Sequence, residues 1–427
     1  MTPTLVIRAG TLIDGTDTVS HDRAIVIADD RVQAVQPWAA LDAPPDVPVL
    51  DASTRTVLPG LIDVHVHVHG AGGPVAWQMS EARESTPFVA IRAVANAQTH
   101  LRMGYTALRD VAARGYVDVA LRDAIDQGIV TGPRLRVAGQ GITITGGHMD
   151  KGGWATEVSF SGRTGVADGP WAMRQAVREQ VKMGADLIKI NACGGRLDLQ
   201  EPWFQEMTFE EMAAVCAEAH KLGRRVAAHT SGGPAITDCL RAGVDTIEHG
   251  HWLTDEQIDL MVQQGTFYVP TLIVNSRNVH LGAEATGVSP GGWAWLTKVY
   301  DDKWETLARA RRAGVKIAAG SDAGFLIYHG EGACELEELV KGGFSPLEAI
   351  IAATRTAADC LGWADRLGTL EPGKLADLVI VDGDPLADIR ILQDEPRIHT
   401  VLKGGQVVKG DPVKFAHAAR QHPTRPT

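Results

Sequence analysis

In LPGLIDVHVHVHG, residues 58–70, three histidines alternate with apolar residues. Alternation along a strand puts His65 and His67 on one face, where two imidazoles can clasp one cation. His69 shares that face but lies beyond the expected strand end, so it is expected to support the site or belong to a loop. Four more groups able to bind metal or move a proton stand at the ends of later apolar runs: Lys189 in ADLIKIN, His229 in VAAHTSGG, His249 in TIEHGHWL and Asp322 in AAGSDAG. A lone histidine in such a place is more often a core residue satisfied by carbonyls. Two in DVHVH, with four matching run ends, point to metal.

Lys189 faces inward if Leu187 and Asn191 do. An ammonium in an apolar interior is costly, and its pKa falls. The neutral amine can add CO2, and the resulting carbamate can bridge two metals roughly 3.5–4 Å apart. The plainer alternative is an ion pair with Asp322 or Asp186. His229 and His249 complete a second metal position. His251 competes with His249, which lies nearer the strand end. Asp322 can bind metal and take a proton from metal-activated water. The AGF that follows it weakens the alternative of a helix cap.

Such groups converge only if the strands bearing them are neighbours. Eight short apolar runs can be counted: LIDVHVH, YTALRDV, RLRVAGQ, ADLIKIN, RVAAHT, DTIEHG, TFYVPTL and KIAAGSD. Helical stretches such as TPFVAIRAVANAQTHLRMG, PWAMRQAVREQVKMG and TFEEMAAVCAEAHKLG separate them, several ending in Gly. This alternation predicts an α/β fold, a (β/α)8 TIM barrel over residues 59–365 with catalytic groups at the C-terminal strand ends. A doubly wound open sheet is the alternative, but no GxGxxG follows the first run. Residues 1–58 and 366–427 carry short β-branched runs and predict one small β-sandwich built from both chain ends.

The composition is that of an ordinary globular chain: 44% hydrophobic and 22% charged over 427 residues. A net charge of −11 argues against nucleic acid or an anionic membrane as partner. Five scattered cysteines without a CxxC fit a reducing compartment, and the N-terminus shows no signal-peptide pattern, so a cytoplasmic location is expected.

The spaced set DVHVH, Lys189, His229, His249 and Asp322 resembles the binuclear metal centre of the amidohydrolase superfamily, and IRAGTLIDG and GTLEPGKLADLVIVDGDPL resemble its sandwich-forming ends. GGHMD at 146–150 and SDAGFLIYHGEGACELEELVKGGFSPLEAIIAAT are similar to the Xaa-Pro dipeptidase and ochratoxin A-hydrolysing amidohydrolases. The resemblance implies two divalent ions, zinc expected, bridged by a carbamate on Lys189. It implies Asp322 as proton carrier and His148, after the third strand, as a group that contacts the substrate. It also implies a homo-oligomer, an octamer being the expected size. Relatives often carry Tyr where this chain has Ser231, so recognition of a substrate carboxylate differs here. The expected reaction is cleavage of an amide of an N-acyl amino acid or dipeptide, ochratoxin A to ochratoxin α and phenylalanine among them. Xaa-Pro dipeptidase and imidazolonepropionase-like cyclic amidase activities are the alternatives; a non-enzymatic scaffold would have lost a ligand, and none is lost.

Six of ten tryptophans, Trp77, Trp154, Trp203, Trp252, Trp293 and Trp295, fall in expected strand-to-helix loops. With Ser231, Phe325, Tyr328 and His329 they predict an aromatic-walled substrate pocket. GGHMDKGGWATEVSFSGRTG, 146–165, is expected to cover it.

Overall fold

The computed structural model describes residues 2–42, 46–73, 83–150, 155, 157, 165–195, 204–286, 288 and 290–410. Trp77, Trp154, Trp203 and most of the 146–165 stretch lie outside the described residues.

Both chain ends build one mixed seven-stranded sheet. Its strands are β1 (Leu5–Ile13), β2 (Val19–Ala28), β3 (Arg31–Pro37) and β4 (Val49–Pro59) from the start of the chain, joined by Leu378–Val381, Ile398–Lys403 and Gln406–Lys409 from its end. Asp29 takes φ +54° in the tight β2–β3 turn, a conformation Asp tolerates because its short polar side chain can bond locally. One face gathers Leu5, Ile7, Ile25, Ile27, Val57, Leu378, Ile380 and Leu402 into a core of its own. The pleat sends Val6, Ala24 and Val26 to the other face.

Between these ends lie parallel strands: β5 (Leu61–Val66), β6 (Tyr105–Asp110), β7 (Arg134–Val137), β8 (Ile142–Thr143), β9 (Gly165–Val166), β10 (Leu187–Asn191), β11 (Arg225–Thr230), β12 (Thr246–His249) and β13 (Phe267–Val269). They form two sheets, β5-β6-β7 and β13-β12-β11-β10-β8-β9. β5, β6 and β10 are buried throughout, as parallel strands covered on both faces must be.

Two runs differ from the regular strands expected. The third is broken at Gly139, φ +68°, so that β7 pairs with β6 while its continuation β8 pairs with β10. The eighth forms no regular strand. Gly320 sits where a side chain would strike His65 and Val269, and Asp322 has a left-handed backbone. This run nevertheless joins the two sheets. Ile317 bridges to Tyr268 of β13, Val64 N–H donates to Ala319 O (3.0 Å), and Asp322 N–H donates to His65 O (2.8 Å).

The expected helices form at Thr86–Arg102, Gly169–Lys182 and Phe209–Lys221. In the last, Thr208 and Glu211 make a reciprocal capping box, and Met212, Val215, Cys216 and Ala219 bury one stripe. Burying Met212 and Val215 contributes roughly 1.5–3 kcal/mol each. Among the described residues no helix is long and apolar enough to cross a membrane.

Candidate active site

The C-terminal ends of β5, β10, β11 and β12 and the turn at Asp322 surround one cavity of about 110 Å³, lined by His65, His67, Lys189, His229, His249 and Asp322. His65, His249 and Asp322 each offer a ligand atom, all within 4.8 Å of one another. Asp322 Oδ1 lies 3.5 Å from His65 Nε2 and 3.2 Å from His67 Nε2. His229 and His249 are in edge contact, ring centroids 4.6 Å apart.

Each of three imidazoles is held by its Nδ1. His65 Nδ1 meets the Glu248 carboxylate at 2.7 Å, and His67 Nδ1 meets Ala112 O at 2.9 Å. Both partners only accept, so both nitrogens carry the proton. Thr271 donates its hydroxyl to Pro270 O (2.8 Å) and therefore accepts from His249 Nδ1, 2.7 Å away. In the neutral rings this leaves the Nε2 lone pairs bare, the arrangement of metal-ligating histidines. Burial, then the neighbouring Lys189, lowers His65 to about 4. Burial and neighbouring charges, first His148 for His229 and His65 for His249, push those two well below the ordinary histidine range. Burial opposes ionisation of Asp322; it is held down to about 2 only where the Nε2 positions of His67 and His65 carry positive charge beside it, together with Lys189, so with the rings neutral a cation in that space would have to do the same.

Lys189 Nζ is buried without a hydrogen-bond partner and has no ion pair among the described residues. Asp186, one expected partner, is bound by Arg122 at 2.8 Å. Burial first, and Arg109 beside it, lower Lys189 to about 8. The buried Lys189 amine therefore stands without a partner beside the imidazole nitrogens and the Asp322 carboxylate.

Backbone strain gathers here. Three non-glycine residues with positive φ, His249 (+69°), Thr271 (+47°) and Asp322 (+58°), meet at the strand ends. Such strain persists only where surrounding contacts enforce it. It turns His249 into the cavity although Glu248, its neighbour, also points inward to His65. His251 lines the cavity wall instead, 3.3 Å from Asn275 Nδ2 through its Nδ1 and edge-on to Trp295.

His148 stacks on His229 at 4.3 Å and 18°, in space left open by Gly195. Ser231, Trp295 and Phe325 also line the cavity, with Met149, Val274, Leu296 and Leu326 as apolar wall. Trp293 and Trp295 lie in the helix Pro290–Ala313 rather than in a loop. Trp293 packs with Trp252 against Trp295, Leu296 and Val299. Tyr328 and His329 are not among the lining residues. Tyr328 is exposed over Gly72 and Gly73, and His329 bonds Gly70 O and His100, each at 3.0 Å. The turn at Gly324 sends Phe325 and Leu326 inward and carries the next residues past the mouth.

The supporting residues had little sequence signal. Glu248 also binds Arg109 at 2.7 Å, and burial, opposed by Arg109 and His65, leaves its carboxyl far below the usual range. Asp63 staples β5 to the eighth run by accepting from Ser321 Oγ (2.5 Å) and from the N–H groups of Ser321 (3.0 Å) and His65 (3.1 Å). Alternation alone would have found Asp63, which shares a face with His65.

Parallel strands carrying a histidine, lysine and aspartate cluster at their C-terminal ends define a hydrolase class in which a metal-held site acts on small molecules. Residues 56–408 match the model of the amidohydrolase family, and the chain belongs to that family. It is a hydrolase acting on amide bonds. It is 32% identical to ochratoxinase of Aspergillus niger over 425 residues, 95% of this chain and 86% of that protein. The crystal structure of A. niger ochratoxinase superposes with TM-score 0.85 at 30% identity, covering 96% of this chain and 97% of that one. A Xaa-Pro dipeptidase with bound methionine in its active site superposes with TM-score 0.86 at 34% identity, over 95% of this chain and all of that one. The resemblance read from the sequence is thereby borne out.

Proposed function

We propose that the chain is a binuclear metal-dependent amidohydrolase that cleaves the amide of an N-acyl amino acid or dipeptide with an apolar or aromatic group, ochratoxin A among its substrates. The observation that carries this is the convergence of bare Nε2 lone pairs, the Asp322 carboxylate and the buried, unpartnered Lys189 amine in one cavity. Lone pairs and a carboxylate crowded this closely repel unless cations lie between them. In this reading residues 59–365 are a closed eight-stranded barrel, which the hydrogen bonds of the eighth run to β13 and β5 support. Residues 1–58 and 366–427 would supply the sandwich, the described strands of the second segment ending at Lys409.

His65, His67 and Asp322 would hold one ion, His229 and His249 the other, with Lys189 as carbamate between them. Two divalent ions, zinc in our reading, supply a water acidified to near neutral pH and a Lewis acid for the amide carbonyl. Asp322, kept ionised, takes the proton of the attacking water and delivers it to the leaving nitrogen. His148 holds the carbonyl or carboxylate of the substrate. Trp295, Phe325, Leu296 and Leu326 accept its apolar group and keep bulk water out. The thiols of Cys216, Cys239, Cys334 and Cys360, outside any disulfide, are consistent with a cytoplasmic enzyme, and the family resemblance favours a homo-oligomer.

Elemental analysis of protein purified without chelator tests the centre, and two divalent ions per chain are expected. Lys189→Ala should lose metal and turnover together, and apoprotein should need bicarbonate to regain both ions. A fully active chain with one ion, or two ions retained in Lys189→Ala, would sink the binuclear reading. Screening N-acyl amino acids and dipeptides, Xaa-Pro dipeptides and ochratoxin A included, separates the substrate alternatives.

A further inference from the structure

The same strands have a second chemical end. Arg136 of β7, Leu187 of β10 and Arg225 of β11 border a separate cavity of about 110 Å³ at the N-terminal side of the strands, with Arg109 and Asp186 beside them. One water needs only about 10–15 Å³, so this space admits several waters or one small oxyanion.

The charges of this cavity do not balance internally. Arg109 uses every one of its three nitrogens elsewhere: its Nε donates to Val64 O, Nη1 to Thr246 Oγ1 (3.1 Å) and Nη2 to Glu248 (2.7 Å). Asp186 accepts from Arg122 Nη1 (2.8 Å) and from Val137 N–H (3.2 Å). Its other oxygen lies 3.7 Å from Arg136 Nη1, beyond a hydrogen bond. Arg225 spends Nη1 on Asp359 O (2.6 Å) and Cys360 O (2.8 Å). Arg136 Nε is buried with no hydrogen-bond partner.

Arg136 is also crowded by its own kind. It and Arg366 both stack on Trp363, at 5.0 and 4.9 Å. Burial, joined by the charges of Arg366, Arg224 and Arg225, pushes Arg136 below its ordinary range. In a chain of net charge −11, this is a local excess of cation. Guanidinium groups with donors to spare around a small cavity are matched by a planar or tetrahedral oxyanion, which takes charge-assisted hydrogen bonds from several nitrogens.

We propose that the cavity between Arg136 and Arg225, at the N-terminal side of the parallel strands, is a binding site for a small oxyanion of the sulfate or phosphate type. It requires nothing of the metal centre, so the two proposals stand or fall separately.

The test uses the intact, metal-loaded protein and sulfate as probe. Sulfate, titrated against chloride at equal ionic strength, should raise the melting temperature saturably. Arg136→Gln and Arg225→Gln should each weaken that response by roughly tenfold or more in half-saturating concentration, and Arg136→Lys by less. A general salting effect acts alike on all of them. In crystals soaked with selenate, the anomalous signal should lie between Arg136 and Arg225. The proposal is overturned if chloride matches sulfate, if both glutamine variants respond as the unaltered chain does, or if selenate appears only among the histidines. If Arg136→Gln fails to fold, as circular dichroism would show, Arg225→Gln decides.

Discussion

β11 shows both ends of the molecule on one strand: Arg225 begins it, Ala227 follows on the same face, and His229 stands near its far end. At the histidine end, acceptors hold the Nδ1 protons of His65, His67 and His249, while Gly194 O faces Nε2 of His229 at 3.3 Å, so each ring keeps one bare lone pair. At the arginine end, carbonyls and carboxylates absorb only some of the N–H donors. The two proposals thus give cations to one end and an anion to the other, although both are walled by the same apolar strands. Between them the buried pair Arg109–Glu248 links the two, since Arg109 borders the arginine cavity and Glu248 holds His65. The lesson is that alternation sets which residues face inward, while the partners at each end set what that interior can bind.

The largest effect that would sharpen this contrast lies at Asp322. Asp322→Asn keeps the shape and one oxygen but cannot take the proton, so turnover should fall by ~10²–10⁴, with metal content less affected. The loss should be greater for an amide than for the matching ester, because an alkoxide leaves with less need of that proton. Equal losses on both would mean that Asp322 acts through the metal alone.

A smaller effect is expected one shell outward. Thr271→Val removes the acceptor that keeps the proton on His249 Nδ1, and metal affinity should fall by about 10–100-fold. Competition with a fluorescent chelator reads it; an unchanged affinity would show that Thr271 does not set the tautomer. His69→Ala should leave metal content as it was, because His69 packs edge-on to His67 and Phe325 rather than entering the cluster. Loss of an ion there would move the third histidine of the opening segment into the centre.

The smallest effect belongs to the opposite end. Arg366→Ala removes one guanidinium from Trp363, and unfolding titrations should show a cost of about 0.5–1 kcal/mol. Turnover and metal content should not change. A fall in turnover would mean that the two ends are coupled through Arg109 and Glu248.

Much of the site was legible because its information is local. His65, His67, Lys189, His229, His249 and Asp322 could be read because each stands at the end of an apolar run, and strand alternation is a property of neighbouring residues. The order of strands and helices was equally legible from periodicity and caps, as at Thr208–Glu211. Less was legible around the pocket. Trp293 and Trp295 look like loop residues until the helix Pro290–Ala313 is seen, and Tyr328 and His329 look like pocket residues until the turn at Gly324 carries them past it.

What the sequence by itself determined, then, is the set of side chains that meet in the cavity and the kind of strand that bears them. The tertiary structure alone decided which nitrogen each imidazole presents, since Glu248 lies 183 residues from His65 and Ala112 lies 45 from His67. It alone chose His249 over His251 for the cluster, through a strained backbone that no propensity predicts. It alone showed that Lys189 has no partner and that Arg136 has donors to spare. Hydrogen bonding and desolvation depend on every atom within a few ångströms, and folding brings those atoms from distant parts of the chain.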